Sequence, residues 1–212
     1  RPNMILGVPR VFEKVRNGAA ANAQDNGPLR AAAFAQAERV AQDYSRALDT
    51  PEGPSRALRM KHAMFDKLVY SKIRAAMGAS VKYCISGGSA MSPDLLHFFR
   101  GMGVTVYEGY GLTETTAAAA VNFDDNVIGS VGRPVGGMSV RVNDDGEILL
   151  RGETLFDGYW NNSEATAENI DQEGWFNTGD LGELLDSGHI VITGRKKDLI
   201  VTAGGKNVSP GP

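Results

Sequence analysis

The sequence has little cysteine, few histidines and no long apolar run. Cys84 is the one cysteine among 212 residues, which excludes an internal disulfide and favours a reducing compartment. No apolar stretch approaches the roughly 20 residues that cross a bilayer, and no signal peptide is visible. The formal net charge of −3 argues against a dedicated nucleic-acid-binding protein. Together these absences predict a soluble, cytoplasmic protein.

Several signatures of functional sites are also missing. The chain has neither the G-x-x-x-x-G-K-[ST] phosphate loop nor the G-x-G-x-x-G dinucleotide motif. Its three histidines, His62, His97 and His189, are scattered rather than clustered. We therefore expect each histidine to be structural or at the surface rather than a metal ligand.

The sequence contains a near match to a serine-hydrolase motif. In "SGGSAM", Ser89 follows a strand and precedes a helix, and Asp180 and His189 come later in the order that hydrolases use. However, Met91 stands where the G-x-S-x-G motif requires glycine. A serine hydrolase built around Ser89 is thus an alternative rather than the leading hypothesis.

What is present is the composition of a globular protein, with 42% hydrophobic and 22% charged residues. The chain begins at Arg1 rather than methionine and stops at Gly211-Pro212, directly after a patterned segment. We expect a fragment of a longer protein.

Two helices are predicted in the first third of the chain. Residues 28–49 are rich in helix formers, and Pro28 suits the first helical position. After the breaker "TPEGPS", Ser55 caps a second helix that Gly78 ends.

The next segment predicts a strand, a helix and a second strand. "VKYCIS" (81–86) and "VTVYE" (104–108) have the composition of buried strands, and "SPD" (92–94) opens a helix that ends near Gly101. Short connections of this kind indicate a parallel pair with a right-handed crossover, in which ligands lie beyond the carboxyl ends of the strands. The glycine-rich stretches "SGGSAM" and "GYGLTE" occur at those ends.

From about residue 121 the pattern becomes all-β. Alternating residues surround Asp145-Gly146 and Ser187-Gly188, and each dipeptide predicts a hairpin. The predicted fold class is α/β, with a parallel βαβ sheet portion and flanking helices followed by a small β-rich, barrel-like subdomain. The predicted segments are 1–122 for the α/β portion, 123–194 for the β-rich subdomain and 195–212 for a hinge and the start of a further domain.

The stretch "YEGYGLTETT" (107–116) combines glycines with hydroxyls and a carboxylate. Gly109 and Gly111 flank Tyr110, so the backbone can bend around a planar group while the ring offers a stacking face. Thr113 and Glu114 follow at once, and a carboxylate beside a phosphate indicates an intervening Mg²⁺. The alternative is an ordinary glycine-rich turn whose threonines cap a helix.

Two later stretches favour the nucleotide hypothesis. "GWFNTGDLG" puts Asp180 in what reads as a tight turn, where its carboxylate can accept hydrogen bonds from a ribose. "GRKKDLI" puts Arg195 at the end of a strand, where it can bind phosphate or ribose. Singly, Asp180 is as well explained as a turn residue and "RKKD" as a solvated charge run.

In order and spacing, "SGGSAMSP", "YGLTE", "TGD" and "GRKKDLIVTAGGKNVSP" resemble the motifs of the adenylate-forming (AMP-binding) superfamily. The similarity runs through most of residues 81–210, and four linked motifs make it specific. "ILGVPRVFEKV" (5–15) and the helices after it resemble the long-chain fatty acid–CoA ligase branch, of an actinobacterial type.

The resemblance implies a nucleotide site. Gly87 to Ala90 would line the adenine and acyl pocket, Tyr110 would stack on adenine, Thr113 would contact the AMP phosphate and Glu114 would hold Mg²⁺. Thr113, Glu114 and Arg195 would take part in catalysis. The implied nucleotide-binding residues are Gly88, Ser89, Ala90, Glu108, Gly109, Tyr110, Gly111, Thr113, Asp180 and Arg195.

The resemblance also implies a hinge at Lys197 and a path for the CoA thiol arm past Gly204, Gly205 and Lys206. The implied substrates are a fatty acid, ATP and CoA, with acyl-AMP formed first and acyl-CoA second. Peripheral contact with a membrane is left open.

Parts of the family pattern are missing from this sequence. The phosphate loop with its lysine should lie upstream, and the C-terminal domain with its adenylation lysine should follow Pro210. Those missing parts of the parent chain are implied partners, and we expect the 212-residue chain to make little acyl-CoA. A non-catalytic nucleotide-binding or interaction module is a further alternative.

Overall fold

The chain forms two compact units, Arg1–Tyr107 and Glu108–Pro212. The computed structural model describes residues 2–198 and the backbone of residues 200–201 and 207–208. Unit 1 is mainly helical around parallel strands, and unit 2 is mainly antiparallel sheet. The predicted fold class is confirmed, whereas the finer division at residues 122 and 194 stays a prediction.

Unit 1 surrounds a pair of parallel strands with helices. Its elements are β1 (Met4–Gly7), α1 (Pro9–Asp25), α2 (Pro28–Leu48), α3 (Arg56–Phe65), a π-helical turn (Asp66–Tyr70), α4 (Ser71–Met77), β2 (Tyr83–Ser86), α5 (Pro93–Gly101) and the first half of β3 (Thr105–Tyr110). β1 pairs with β2 in parallel, from Met4 opposite Tyr83 to Gly7 opposite Ser86.

The predicted helix boundaries are confirmed by their caps. Pro28 begins α2, and the hydroxyl of Ser55 accepts a hydrogen bond from the Leu58 N–H at 3.2 Å. Gly78 ends α4 with a φ of +123°, which a residue with a side chain rarely adopts. The sequence analysis predicted one continuous helix here and did not predict the π-helical turn, which breaks it into α3 and α4.

The core of unit 1 joins α5 to both α1 and α2. Phe99 packs edge-to-face on Phe12 with ring centroids 5.6 Å apart, and on Phe98 at 5.4 Å. Gly101 brings the end of α5 so close to α2 that a Cβ there would lie 2.0 Å from the Ala41 carbonyl oxygen. Burial of each of these aromatic side chains stabilises the fold by roughly 1.5–3 kcal/mol.

The histidines of unit 1 are structural, as predicted. His97 is buried and hydrogen-bonded through Nδ1 to the Ser45 hydroxyl at 2.9 Å, and its burial lowers the pKa of the imidazole. His62 stacks on Tyr44 with ring centroids 3.9 Å apart. Cys84 is buried too, which raises the pKa of its thiol to about 11.

Unit 2 is built on a four-stranded antiparallel sheet. Its elements are the end of β3, a 3₁₀ turn (Thr113–Thr115), β4 (Ala120–Val121), β5 (Arg133–Pro134), β6 (Met138–Val142), β7 (Glu147–Gly152), α6 (Ser163–Asn169), β8 (Phe176–Leu184), β9 (Ile190–Arg195), a second 3₁₀ turn (Lys196–Asp198), β10 (Ile200–Val201) and β11 (Asn207–Val208). The sheet order is β6-β7-β8-β9, and β3, β4 and β5 form short antiparallel pairs.

Both predicted hairpins are present. β6 and β7 meet at Val142 opposite Ile148, and β8 and β9 meet at Leu184 opposite Ile190. The apolar residues of these strands pack with Ala119 and Ala120 to form the core of unit 2. Across the described residues, no helix has the length and apolar character that a membrane span requires.

Candidate functional site

Asp180 lies in the middle of β8, opposite Arg195 at the end of β9. Its carboxylate accepts a hydrogen bond from the Tyr110 hydroxyl at 2.6 Å through Oδ2, and its Oδ1 forms an ion pair with Arg195 Nε at 2.9 Å. The prediction of a tight turn at Asp180 is wrong. Gly179 has a φ of +71° where the register between β7 and β8 shifts, but β8 pairs with β7 at Asn177 and Leu181 and with β9 at Asp180, so the segment stays a strand.

Asp180 is only 2% exposed, so these two partners supply polar contacts that replace water around its carboxylate. Burial raises the pKa of the Tyr110 phenol, and the bond to Asp180 raises it further. The phenol therefore remains a donor throughout the physiological pH range. This ties the end of β3 to the sheet and holds Arg195 in place.

The turn after β3 divides its side chains between two tasks. The Thr115 hydroxyl is buried and accepts a hydrogen bond from the Leu112 N–H at 2.9 Å, and the Thr116 hydroxyl donates to the Thr154 carbonyl at 2.8 Å. These two threonines shape the backbone of the turn, although the Thr116 hydroxyl contacts a distant segment rather than a helix end. Thr113 and Glu114 are not used this way and line a cleft instead.

Glycine at position 111 is required by close backbone approach. A Cβ at Gly111 would lie 1.7 Å from the Ala117 carbonyl oxygen. The chain therefore folds back on itself directly beside Thr113 and Glu114, which fixes where their side chains emerge.

A cleft of about 510 Å³ brings three separate segments of unit 2 together. The turn after β3, strand β8 and the end of β9 contribute to its wall, which also includes Tyr159. Its lining residues are Gly111, Leu112, Thr113, Glu114, Glu147, Tyr159, Asn169, Phe176, Asn177, Thr178, Gly179 and Arg195. Asp180 is not among them, but it contacts Arg195, which is.

Glu114 is held at this cleft by contacts that the sequence analysis missed. Tyr159 donates its hydroxyl to Glu114 Oε1 at 3.0 Å, and the Phe156 N–H donates to the Glu114 carbonyl at 2.7 Å. Burial raises the pKa of the Tyr159 phenol, with a further contribution from Glu114. Within the described part of the chain, Glu114 Oε2 accepts no hydrogen bond, so it can bind a ligand.

A second missed group surrounds Glu147. Its buried carboxylate accepts the Gly179 N–H at 2.9 Å and Lys196 Nζ at 2.9 Å, and Lys196 also reaches Asp145 at 2.6 Å. The hydrogen bond from Lys196 lowers the pKa of Asp145. A glutamate at the first position of strand β7 could have drawn attention to Glu147 from the sequence. Only the register of β7 and β8 shows that its carboxylate binds the Gly179 N–H.

The predicted hinge residue Lys197 lies in the 3₁₀ turn after β9, with its side chain exposed. With Thr178, Gly179, Arg195 and Lys196 it lines an opening of about 390 Å³. Gly204, Gly205 and Lys206 lie outside the described residues.

The predicted site residues of unit 1 follow β2. Gly88, Ser89 and Ala90 are exposed, and Gly88 has a φ of +89°. The adjacent Ser86 hydroxyl is buried and has no hydrogen-bond partner among the described residues. A buried hydroxyl without a partner is compatible with the ligand pocket that the resemblance implies here.

Glu108 and Gly109 lie in β3. The Glu108 side chain is buried, and its carbonyl accepts the Asn122 N–H at 2.9 Å. Gly109 pairs with Val121 of β4. The backbone of both residues is therefore paired with residues 121–122.

The serine-hydrolase alternative fails at His189. Its Nδ1 is bonded to the Ser187 hydroxyl at 2.9 Å and its Nε2 to the Asp125 carbonyl at 3.0 Å. Asp180 is engaged by Tyr110 and Arg195 rather than by this histidine. His189 is therefore structural.

The sequence of residues 1–160 matches the family model described as "AMP-binding enzyme". The match covers well over half of the chain and includes the turn with Thr113 and Glu114. The chain therefore belongs to the AMP-binding enzyme family.

The chain is also similar to long-chain-fatty-acid–CoA ligase FadD15 of Mycobacterium bovis, with 52% identity over 211 residues. The alignment covers 99% of this chain and 34% of the relative. The predicted similarity to the long-chain branch of an actinobacterial type is confirmed. The chain spans about a third of the length of the curated relatives it matches.

Solved structures agree with this family. An ATP-bound RpMatB-BxBclM chimera superimposes with a TM-score of 0.64 at 27% identity, covering 99% of this chain and 34% of that one. O-succinylbenzoate coenzyme A synthetase (MenE) from Bacillus subtilis, in complex with ATP and magnesium ion, gives a TM-score of 0.57 at 27% identity. That alignment covers 66% of this chain and 33% of the other.

Proposed function

We propose that this chain is the AMP-holding part of an ATP-dependent long-chain fatty acid–CoA ligase. In the parent enzyme the fatty carboxylate would displace pyrophosphate from the α-phosphate of ATP to give acyl-AMP, and the CoA thiol would then displace AMP to give acyl-CoA. The observation that carries the proposal is the cleft of unit 2, whose wall includes Thr113, Glu114 and Arg195 from two separate segments.

Arg195 has the geometry of a phosphate or ribose ligand. Its Nε is bound to Asp180, and its side chain is half exposed at the cleft. A guanidinium carries five N–H donors in a planar fork, so Arg195 can donate to an oxyanion while Asp180 engages its Nε. The buried Asp180 holds the guanidinium through its Nε and thereby orients it.

The residues present fit a magnesium ion. Mg²⁺ is commonly held by one or two carboxylates together with phosphate oxygens, and Glu114 presents one such oxygen at the cleft. The described residues hold no cluster of three or more metal-ligating side chains, which agrees with a metal held largely by the nucleotide. When bound, Mg²⁺ would offset negative charge on the phosphates.

The site would therefore act by positioning and electrostatics. No residue of the cleft is needed as a covalent nucleophile, because the fatty carboxylate itself attacks the α-phosphate. The Thr113 hydroxyl and the Arg195 guanidinium would hold the phosphate in line for this attack and stabilise its developing charge.

Binding of a non-hydrolysable fatty acyl-AMP analogue to the 212-residue chain tests this proposal. We expect calorimetry to show at least about tenfold weaker binding for Arg195→Ala, because a charge-assisted hydrogen bond is lost. Arg151→Ala is the matched control, since Arg151 is an exposed arginine of β7 outside the cleft. Equal affinities of the unmodified 212-residue chain and of Arg195→Ala for the analogue would contradict the proposal.

The metal is tested with ATP in the same assay. The unmodified 212-residue chain should bind ATP more tightly with Mg²⁺ than with EDTA, and Glu114→Gln should lose most of that difference. Tyr159→Phe should retain part of it, because Tyr159 only positions Glu114. A Mg²⁺ effect that survives intact in Glu114→Gln would rule out Glu114 as the metal ligand.

A further inference from the structure

The outer face of α3 and the π-helical turn is apolar at its centre and basic at its edges. Met60, Met64 and Leu68 recur every four residues, and their exposed fractions are 74%, 49% and 56%. Helical spacing puts them in one row along the surface. We call the row and the cations beside it the Met60 face, which consists of Arg56, Met60, Lys61, Met64, Lys67 and Leu68.

The opposite side of the same segment is already packed. Phe65, Tyr70 and Ile73 are buried in unit 1, and the Tyr70 hydroxyl donates to the Ala37 carbonyl at 2.7 Å. The helix is thus anchored by one side, and the Met60 face is left in solvent. Large apolar side chains grouped in this way mark an interaction surface more often than single exposed ones.

The cations lie on both sides of the apolar row. Lys61 follows Met60 and Lys67 precedes Leu68, so the two lysines flank the row in opposite directions around the helix. Within the described part of the chain, Arg56, Lys61 and Lys67 form no ion pair. Asp66, the one carboxylate in the sequence of residues 56–77, is paired with Arg74 at 2.6 Å.

This charge is a local feature of an acidic chain. Residues 56–77 hold six lysines and arginines and one carboxylate, although the whole chain has a net charge of −3. Lysine and arginine can lay their apolar stems beside buried apolar residues while keeping the charged groups in a polar layer. An amphipathic helix with apolar residues at the centre and cations at the rim matches the boundary between lipid headgroups and acyl chains.

We propose that the Met60 face docks this protein on the surface of an anionic lipid bilayer. Met60, Met64 and Leu68 enter the headgroup boundary, while Arg56, Lys61 and Lys67 bind lipid phosphates. The proposal concerns a surface of unit 1 and stands independently of the nucleotide site.

Charge complementarity favours lipid over a second copy of the chain and over a nucleic acid. A symmetric second copy would set the same lysines and arginines against each other, and like charges across an interface oppose binding. A nucleic acid would satisfy the cations but would leave the three apolar side chains without a partner. An anionic bilayer satisfies both parts of the face.

Sedimentation of the 212-residue chain with vesicles tests the proposal. We expect binding to phosphatidylcholine vesicles that contain phosphatidylglycerol and little binding to phosphatidylcholine alone. Lys61→Glu with Lys67→Glu should weaken binding at least about tenfold, because each cation near an anionic surface contributes substantially. Salt at about 1 M should weaken binding of the unmodified 212-residue chain to the anionic vesicles, since it screens charges beyond ~3 Å.

The apolar row needs its own variant and control. Met60→Ser, Met64→Ser and Leu68→Ser combined should also weaken binding by at least about tenfold, because the row supplies the buried apolar area. The control combines Leu29→Ser and Lys82→Glu, which alter an 86% exposed leucine and an exposed lysine outside the Met60 face. The control should bind the vesicles as tightly as the unmodified 212-residue chain. Circular dichroism and thermal melting should show that all variants fold.

A fluorescence measurement keeps the proposal testable if the triple variant fails to fold. An environment-sensitive dye on Met64→Cys should shift to the blue with anionic vesicles, whereas the same dye on Leu29→Cys should not. Cys84 is buried and is left unlabelled in the folded chain. Equal binding to neutral and anionic vesicles, no dye shift at position 64, or light scattering that shows a dimer dissolved by the triple variant would overturn the proposal.

Discussion

Asp180 is a buried carboxylate whose two oxygens are satisfied by different segments of unit 2. Tyr110 reaches it from the end of β3 and Arg195 from the end of β9. A buried charge is tolerated only when it is paired and hydrogen-bonded, so these three side chains act as one unit. The same unit holds Arg195 at the cleft wall and thereby connects stability to the proposed nucleotide site.

A double-mutant cycle measures this coupling. Tyr110→Phe and Asp180→Asn should each lower the free energy of unfolding by about 2 kcal/mol, because a hydrogen bond between the phenol and a buried carboxylate is lost. The double variant should lose clearly less than the sum of the two. Urea denaturation followed by circular dichroism provides the values.

Tyr83→Phe is the control for the cycle. Tyr83 is partly exposed and its ring contacts Tyr107, so we expect a change within about 0.5 kcal/mol. Strict additivity of Tyr110→Phe and Asp180→Asn would show that the two side chains stabilise the chain separately.

At the scale of elements, the contact of α2 with α5 depends on a residue that has no side chain. Gly101 ends α5 against the backbone of α2 at Ala41. Neighbouring aromatic residues of α5 fill the space on either side of this close approach. Helix composition predicted both helices, but nothing in their separate patterns indicated how closely they cross.

Two glycine-to-alanine changes separate packing from helix propensity. Gly101→Ala should lower the free energy of unfolding by at least about 1 kcal/mol, because the new methyl group collides with backbone atoms of α2. Gly18→Ala, in the middle of α1 with open space around it, should raise it by about 0.5–1 kcal/mol. Thermal and urea denaturation of both variants check the pair, and a stabilising Gly101→Ala would contradict the close approach.

At the scale of the whole molecule, the two units differ in charge. Residues 1–107 carry 15 lysines and arginines against eight aspartates and glutamates, whereas residues 108–212 carry seven against 17. The overall charge of −3 conceals this difference. Composition over the full chain therefore gave no indication of the basic Met60 face.

The length of the chain relative to its relatives leads to a prediction about activity. The family resemblance assigns the lysine-bearing phosphate loop and a C-terminal domain to regions outside these 212 residues, and the chain spans about a third of its curated relatives. We expect the purified chain to form less than about 1% of the acyl-CoA made by a full-length relative, because correct positioning of both reactants supplies a large part of such a rate enhancement. An ATP- and CoA-dependent thioester assay checks this, with the full-length relative as control. Turnover comparable to that relative would contradict it.

Short-range features were predictable because local chemistry decides them. The caps of α2 and of the helix that begins after Ser55, the two hairpin turns and the motif residues Thr113 and Glu114 could all be identified from neighbouring residues. Asp180 was identified as a site residue but assigned to a turn, since "TGD" has turn composition. The pairing of β8 with β7 and β9 overrode that local preference.

The order of residues along the chain was sufficient for the α/β class and for the family, and it supplied the candidate nucleotide ligands that stay a prediction. Local propensity and motif spacing are properties of contiguous segments, and they can be read without coordinates. The contacts of Tyr159 with Glu114, of Lys196 with Glu147, and of Tyr110 with Asp180 join residues 45 to 70 positions apart. Strand register and chain reversal bring such residues together, and these depend on packing throughout each unit, so they became visible only in three dimensions.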